Sequence, residues 1–214
     1  MKPIYLLYYV LQAKDDAYLE QALTGFPEQM RKEINRYSGA DRHLRIATKI
    51  VTQRIVTDFA YTGSVLSDIQ RDRYNRPFLP NTDIRFTSAH SHYMAVVAAS
   101  TAYQGLGVDV EFRKAIDLPL LEDCLHPGEI TFLREQEHAT NAFYEIWTRK
   151  EAVLKASGLG ISKELNQVDA HKEIVFIEEQ AFFTQNLLLK TDYALSVAAT
   201  DALTTVQIKE VTFP

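Results

Sequence analysis

The chain alternates short apolar runs with charged stretches of helical period, the pattern of strands packed against helices. The run "IYLLYYVL" at 4–11 carries three tyrosines and predicts a strand. A charged helix is expected over 27–37. A longer helix follows over 41–61, with Leu44, Ile46, Ala47, Ile50, Val51, Ile55 and Phe59 along one side. "YNRPFLPN" reads as a turn-rich loop. Strands at 84–87 and 93–100 flank a tight connection. Further on, 118–125 and 127–136 have helical character. The 141–157 stretch is the clearest helix, closed by Gly158 and Gly160. Strands at 174–177, 182–189, 193–200 and 205–211 complete the pattern.

One strand pattern occurs twice. "YMAVVAAS" begins at Tyr93 and "YALSVAAT" at Tyr193, aligned without gaps 100 residues apart and matching at Tyr, Val, Ala and Ala. A duplicated unit predicts such a spacing. The expected fold is α+β: two similar α/β halves in a pseudo-twofold arrangement, residues 1–105 and 106–214, joined near 102–107, with the active site in the cleft between them.

Composition narrows the class. The chain has 214 residues, 46% of them hydrophobic, enough for a sizeable core. Its one cysteine, Cys124, rules out an internal disulfide framework and suits a reducing compartment. Pro3 before the first apolar run and "QAKDDA" after it disfavour a secretory signal. No run reaches the roughly 20 apolar residues of a membrane span. The expected location is the cytoplasm, away from membranes. The net charge of −5 is uneven: residues 1–105 balance to +3 and 106–214 to −8. That division suits a first half meeting an anion and a second half holding a cation.

The candidate chemistry starts at "GLGVDVEFRK", residues 105–114. On a strand Asp109 and Glu111 share one face, and the carboxylates repel unless something cationic faces them. In the 141–157 helix, Trp147, Glu151 and Lys155 lie along one face at i, i+4 and i+8. An ordinary surface ion pair would look the same. Glu151 placed beside Asp109 and Glu111 would complete a three-carboxylate site for Mg²⁺, with Mn²⁺ as a substitute. In the first half Arg45 and Arg54 on the long helix, Arg76 in the loop and His90 in "RFTSAHSHY" could hold phosphates. Zinc binding by "HSH" is not expected without further ligands.

Three blocks carry a resemblance to the Sfp-type 4′-phosphopantetheinyl transferases. "GLGVDVEFRK" resembles the family's Gly-Ile-Asp-Ile-Glu strand. "WTRKEAVLKASGLGI" resembles its Trp-Ser/Thr-x-Lys-Glu-Ala…Lys…Gly-x-Gly helix end, and "NRPFLP…RFTSAHS" its Gly-Lys-Pro…Phe-Asn-x-Ser-His-Ser loop. The resemblance spans about 45–161. It implies transfer of 4′-phosphopantetheine from coenzyme A to a serine of an apo acyl or peptidyl carrier protein. Adenosine 3′,5′-bisphosphate leaves. Carriers of fatty-acid, polyketide or nonribosomal peptide synthesis are the implied partners, and a monomer is implied. Asp109, Glu111 and Glu151 would be the metal ligands, and Glu151 and Lys155 the catalytic pair. The resemblance leaves open whether Glu151 acts as base or as third ligand. Arg45, Arg76, His90 and Lys155 would bind coenzyme A. Two positions depart from the pattern: Arg76 replaces a Lys, and Ala89 replaces the Ser before His90.

Two other readings exist. An acidic strand facing a Glu/Lys helix also suits a Mg²⁺-dependent nuclease, but the acidic chain lacks the broad basic surface of nucleic-acid binders. A non-catalytic homologue that binds coenzyme A or the carrier has Ala89 as its support.

Overall fold

In the computed structural model, which describes residues 3–159 and 165–214, the first apolar run forms β1 (Ile4–Val10). Ile4 and Leu6 on one face of it and Leu7 and Tyr9 on the other are all buried, so the strand is covered on both faces. α1 (Asp16–Thr24) and α2 (Glu28–Ile34) lead to α3 (Gly39–Thr57), which begins at a glycine with φ +56°. α4 (Val65–Asp68) precedes β2 (Gln70–Arg71) and β3 (Pro77–Phe78), a short antiparallel ribbon. β4 (Arg85–Ser91) and β5 (Met94–Ser100) form a hairpin. β6 (Leu106–Phe112) is followed by a 3-10 segment (Leu118–Cys124), α5 (Pro127–Arg134) and α6 (Ala139–Ser157). β7 (Ile174–Ile177), β8 (Gln180–Asn186), β9 (Tyr193–Ala199) and β10 (Val206–Glu210) end the chain.

The chain divides into two units. One comprises Met1–Asp72, Pro77–Ala102 and Thr204–Pro214; the other comprises Arg73–Arg76 and Tyr103–Leu203. The first holds a four-stranded sheet in the order β10-β1-β5-β4, with β10 parallel to β1 and the other pairs antiparallel. Its core joins α3 residues Ile46, Val51 and Ile55 to Val97 and Ala99 of β5. The second holds an antiparallel sheet in the order β6-β9-β8-β7. Its core joins Ala152, Val153 and Ala156 of α6 to Ala194 and Ala198 of β9. The α+β expectation holds, and the two units share a plan. Each has a first strand, a 19-residue helix, and a hairpin whose last strand returns to pair with the first. The repeated motifs are β5 and β9, buried along their whole length.

The structure departs from the expected elements in several places: the strand expected at 84–87 is the longer β4, and the loop "YNRPFLPN" contains β3. α1 was not anticipated: the charges of "QAKDDA" mask a helix whose inward face is only Leu19 and Leu23. Residues 118–124 coil as a 3-10 segment with no buried residue, so no packing extends it into an α-helix. Gly158 closes α6 in the left-handed conformation, φ +72°. Gly160 and Ile161 of the same motif lie outside the described residues. Among the described residues no helix is long and apolar enough to cross a membrane.

Candidate functional site

The second unit answers what faces Asp109 and Glu111. Gly107, Asp109 and Glu111 alternate onto one face of β6, Gly105 stands just before the strand, and α6 lies against that face. A methyl at Gly107 would sit 1.8 Å from the Ala152 carbonyl oxygen, and one at Gly105 2.4 Å from that of Ala156. Strand and helix approach so closely because one presents glycines and the other alanines. Lys155, between those two alanines, reaches the strand: its ammonium donates to Asp109 Oδ1 at 2.7 Å and to the Val108 carbonyl at 3.0 Å.

Asp109 is only 6% exposed, and its Oδ2 is buried with no hydrogen-bond partner among the described residues. Burial holds its pKa above the usual carboxylate range, against the charge and hydrogen bond of Lys155 and the Val110 N–H. Glu151, one turn before Lys155, is also pushed up, by burial and then by the charge of Asp109; Lys155 and Lys150 act the other way. So Asp109, Glu151 and Lys155 lie within each other's field, and Glu111 continues the same strand face. Among the described residues, no three His, Cys, Asp or Glu side chains close into a metal cage. Two features nevertheless fit a hard cation: the buried Asp109 oxygen that has no hydrogen bond among the described residues, and the Asp109 charge that disfavours ionisation of Glu151.

Arg76 also belongs to the second unit. Its guanidinium lies against Gly158, where a methyl would meet Nη1 at 2.6 Å. The glycine that caps α6 thus leaves room for an arginine.

In the first unit Asp41 gathers two of the expected phosphate-binding residues. Its Oδ2 accepts from Arg45 Nε at 3.2 Å, and its Oδ1 lies 3.2 Å from His90 Nε2. The Arg45 guanidinium stacks on Tyr37, 3.5 Å from the ring centre. Arg54 is exposed further along α3. Strand alternation settles which way residue 89 points. Phe86, Ser88 and His90 share the β4 face that meets α3, whereas Ala89 points to the other face and is buried. A hydroxyl on the His90 face therefore comes from Ser88.

Several residues escaped the sequence reading. Lys150 and Glu129 form a fully buried ion pair at 2.6 Å. Asp41 orients Arg45 and His90, and its i, i+4 spacing to Arg45 was the available signal. The glycines at i and i+2 before Asp109 signalled the close helix contact.

Comparison with known proteins follows the same lines. Residues 105–206 match the family model described as the 4′-phosphopantetheinyl transferase superfamily. A Haemophilus influenzae protein provisionally called a 4′-phosphopantetheinyl transferase is 35% identical over 107 residues, 48% of this chain and 46% of its own. The 4′-phosphopantetheinyl transferase Sfp of Bacillus subtilis is 24% identical over 143 residues, 65% of this chain and 63% of its own. The matches thus span only about half to two thirds of those relatives. A solved structure of Thermotoga maritima holo-[acyl-carrier-protein] synthase is also similar, at 18% identity with a TM-score of 0.35, over 45% of this chain and 62% of that one. The resemblance read from the three sequence blocks is borne out over the matched segment.

Proposed function

We propose that this protein transfers 4′-phosphopantetheine from coenzyme A to a serine hydroxyl of an apo carrier protein, releasing adenosine 3′,5′-bisphosphate. One observation carries the reading. Within the segment matching the superfamily, Lys155 binds Asp109, joining the Gly-x-Asp-x-Glu strand to the Lys-Glu-Ala helix.

In this reading Asp109, Glu111 and Glu151 hold Mg²⁺, or Mn²⁺ in its place. The metal, when bound, neutralises charge on the donor's pyrophosphate. The serine Oγ attacks the phosphorus that carries the pantetheine arm, and the bond from that phosphorus to the bridging oxygen breaks. Lys155 stabilises the charge developing on the leaving phosphate. The raised proton affinity of Glu151 suits it to accept the serine proton. As a third ligand it would instead orient a water that takes that proton. Arg45, Arg76 and His90 hold the donor's phosphates. All these residues lie on one chain, which supports a monomer.

The test is mass spectrometry of apo acyl and peptidyl carriers after incubation with coenzyme A and Mg²⁺. A gain of about 340 Da marks the transferred group. Asp109→Ala should cut the rate about a hundredfold or more, as loss of a charge-stabilising group does. If no carrier gains mass, the reading fails and a non-catalytic homologue replaces it. Release of nucleotides from DNA would point to a nuclease.

A further inference from the structure

A buried hydroxyl pair joins α6 to the second sheet. The β9 face that meets α6 carries Ala194, Ser196 and Ala198 in alternation. Ser196 and Thr148 of α6 are both 0% exposed, and their hydroxyl oxygens lie 2.8 Å apart. Asn186 of β8 turns its amide nitrogen to Glu145 Oε2 at 3.5 Å and its oxygen to Ser196, which donates to it at 2.9 Å. The hydrogen between Thr148 and Ser196 is therefore the threonine's. Thr148 reaches the sheet with it although the Tyr144 carbonyl of its own helix is 2.9 Å away.

The first unit, built on the same plan, does without this bond. Its strand β5 turns Ala95, Val97 and Ala99 to α3, so a valine stands between the alanines where the second unit has Ser196. Thr48 lies at the midpoint of the 19-residue α3, as Thr148 does in α6, and it donates to the Leu44 carbonyl of its own helix at 2.7 Å. A helix thus packs on such a strand with no hydroxyl bridge. At the helix positions of Glu151 and Lys155, α3 has Val51 and Ile55. The bridge occurs in the unit that has charged groups to place.

We propose that Thr148 and Ser196 are a positioning pair, whose bond sets α6 on the sheet so that Glu151 and Lys155 face Asp109. Ser196 is the register partner of Asp109 and shares its face. Thr148 lies one turn before Glu151 and two before Lys155, on the same stripe of α6. Around the pair, helix and sheet meet through Gly107, Ala152 and Ala198. Small apolar surfaces pack without direction and leave a helix free to slide or turn. A hydrogen bond between hydroxyls has direction, and at 0% exposure water cannot replace it, so one setting of the helix is favoured. The inference rests on the transfer reading for what Asp109, Glu151 and Lys155 do, and not for where they are held.

The experiment reads position and metal binding apart from transfer. Thr148→Val/Ser196→Ala removes both hydroxyls with little change of shape, and replacing both partners of a buried bond by apolar groups is close to neutral for stability. Thr148→Ser keeps the bond. In metal-free buffer, the acetylation rate of Lys155 is compared with that of the exposed Lys190 in the same molecule, by mass spectrometry of the peptides. Separately, Mn²⁺ is titrated into each protein, without donor or carrier, and free Mn²⁺ is read by electron paramagnetic resonance. The double variant should melt within about 4 °C of wild type. Its Lys155 should be acetylated severalfold faster, because the bond to Asp109 is loosened. It should bind Mn²⁺ about tenfold or more weakly, the scale of lost support around a metal site. Thr148→Ser should match wild type in both readouts. Should the double variant not fold, Thr148→Val alone carries the same two measurements, since Ser196 keeps its bond to Asn186. If the folded variant retains either the wild-type reactivity of Lys155 or the wild-type Mn²⁺ affinity, the pair is a structural bond only and the proposal is refuted. A wild type that modifies no carrier removes the transfer reading and leaves these two measurements to decide the pair.

Discussion

Lys150 is a buried charge whose ammonium hydrogens all find acceptors. Its three ammonium hydrogens meet Glu129 Oε2, the Leu165 carbonyl and the Cys124 carbonyl at 2.6, 2.9 and 3.2 Å. Glu129 accepts in turn from the backbone of His126 and Ala170. Both residues are 0% exposed, so α6, the start of α5 and two loops are tied through one satisfied pair. Removing one partner should therefore cost about 3–5 kcal/mol, because the other charge stays buried alone. Chemical denaturation of Lys150→Met tests this, with Lys150→Met/Glu129→Leu expected to recover most of the loss. A single variant within about 1 kcal/mol of wild type would count against the account, since measured penalties for such losses are larger.

The neighbouring Glu151 shows the opposite balance. Burial and the charge of Asp109 raise its folded pKa above its unfolded value. Between those two values the folded chain binds more protons than the unfolded one, so stability falls as pH rises through that window. In EDTA, Glu151→Gln should therefore raise the melting temperature, more at pH 8 than at pH 4. An equal shift at both pH values would show that ionisation is not the cause.

At the scale of elements, the β6–α6 contact is set by small residues. Gly107→Ala would push a methyl onto the Ala152 carbonyl, backbone against backbone, where neither can rotate away. The strand and helix must then separate. The expected cost is about 1–3 kcal/mol or more for such overpacking, with loss of the Lys155–Asp109 bond. Denaturation midpoints and the metal dependence of transfer would report both; an unchanged midpoint would contradict the close approach. This contact also marks how far the sequence could be read. The i+2 carboxylates, the i+4 stripe on α6 and its glycine cap are local patterns, so α6 was expected at nearly its observed bounds and Asp109 and Lys155 were named. The Asp41–His90 contact and the Lys150–Glu129 pair join residues far apart along the chain, which no local pattern encodes. Strand alternation was legible in principle at Ala89, but deciding which face meets α3 required knowing the register of β4 on β5.

For the molecule as a whole, the return of the chain's end to its beginning matters most. β10 pairs in parallel with β1, and parallel neighbours need a long connection; here it is the rest of the first unit together with all of the second. Phe213 then packs on Tyr9 and Tyr18, with ring centres 4.4 and 5.1 Å apart, and Val211 joins the same core. A boundary near residue 105 is therefore proposed with the last strand added back to the first part. Residues 1–105 alone would expose the β1 edge and the ring faces of Tyr9 and Tyr18, and an uncovered strand edge invites association. That fragment is expected to melt without a sharp transition and to aggregate. Fusing residues 203–214 to its end through a flexible linker should restore cooperative melting, because the closing strand is again available to β1. Circular dichroism melts of the two fragments decide it. A sharp transition in 1–105 alone would mean that the first unit does not need the chain's last strand, and that the packing of Phe213 contributes little to its stability.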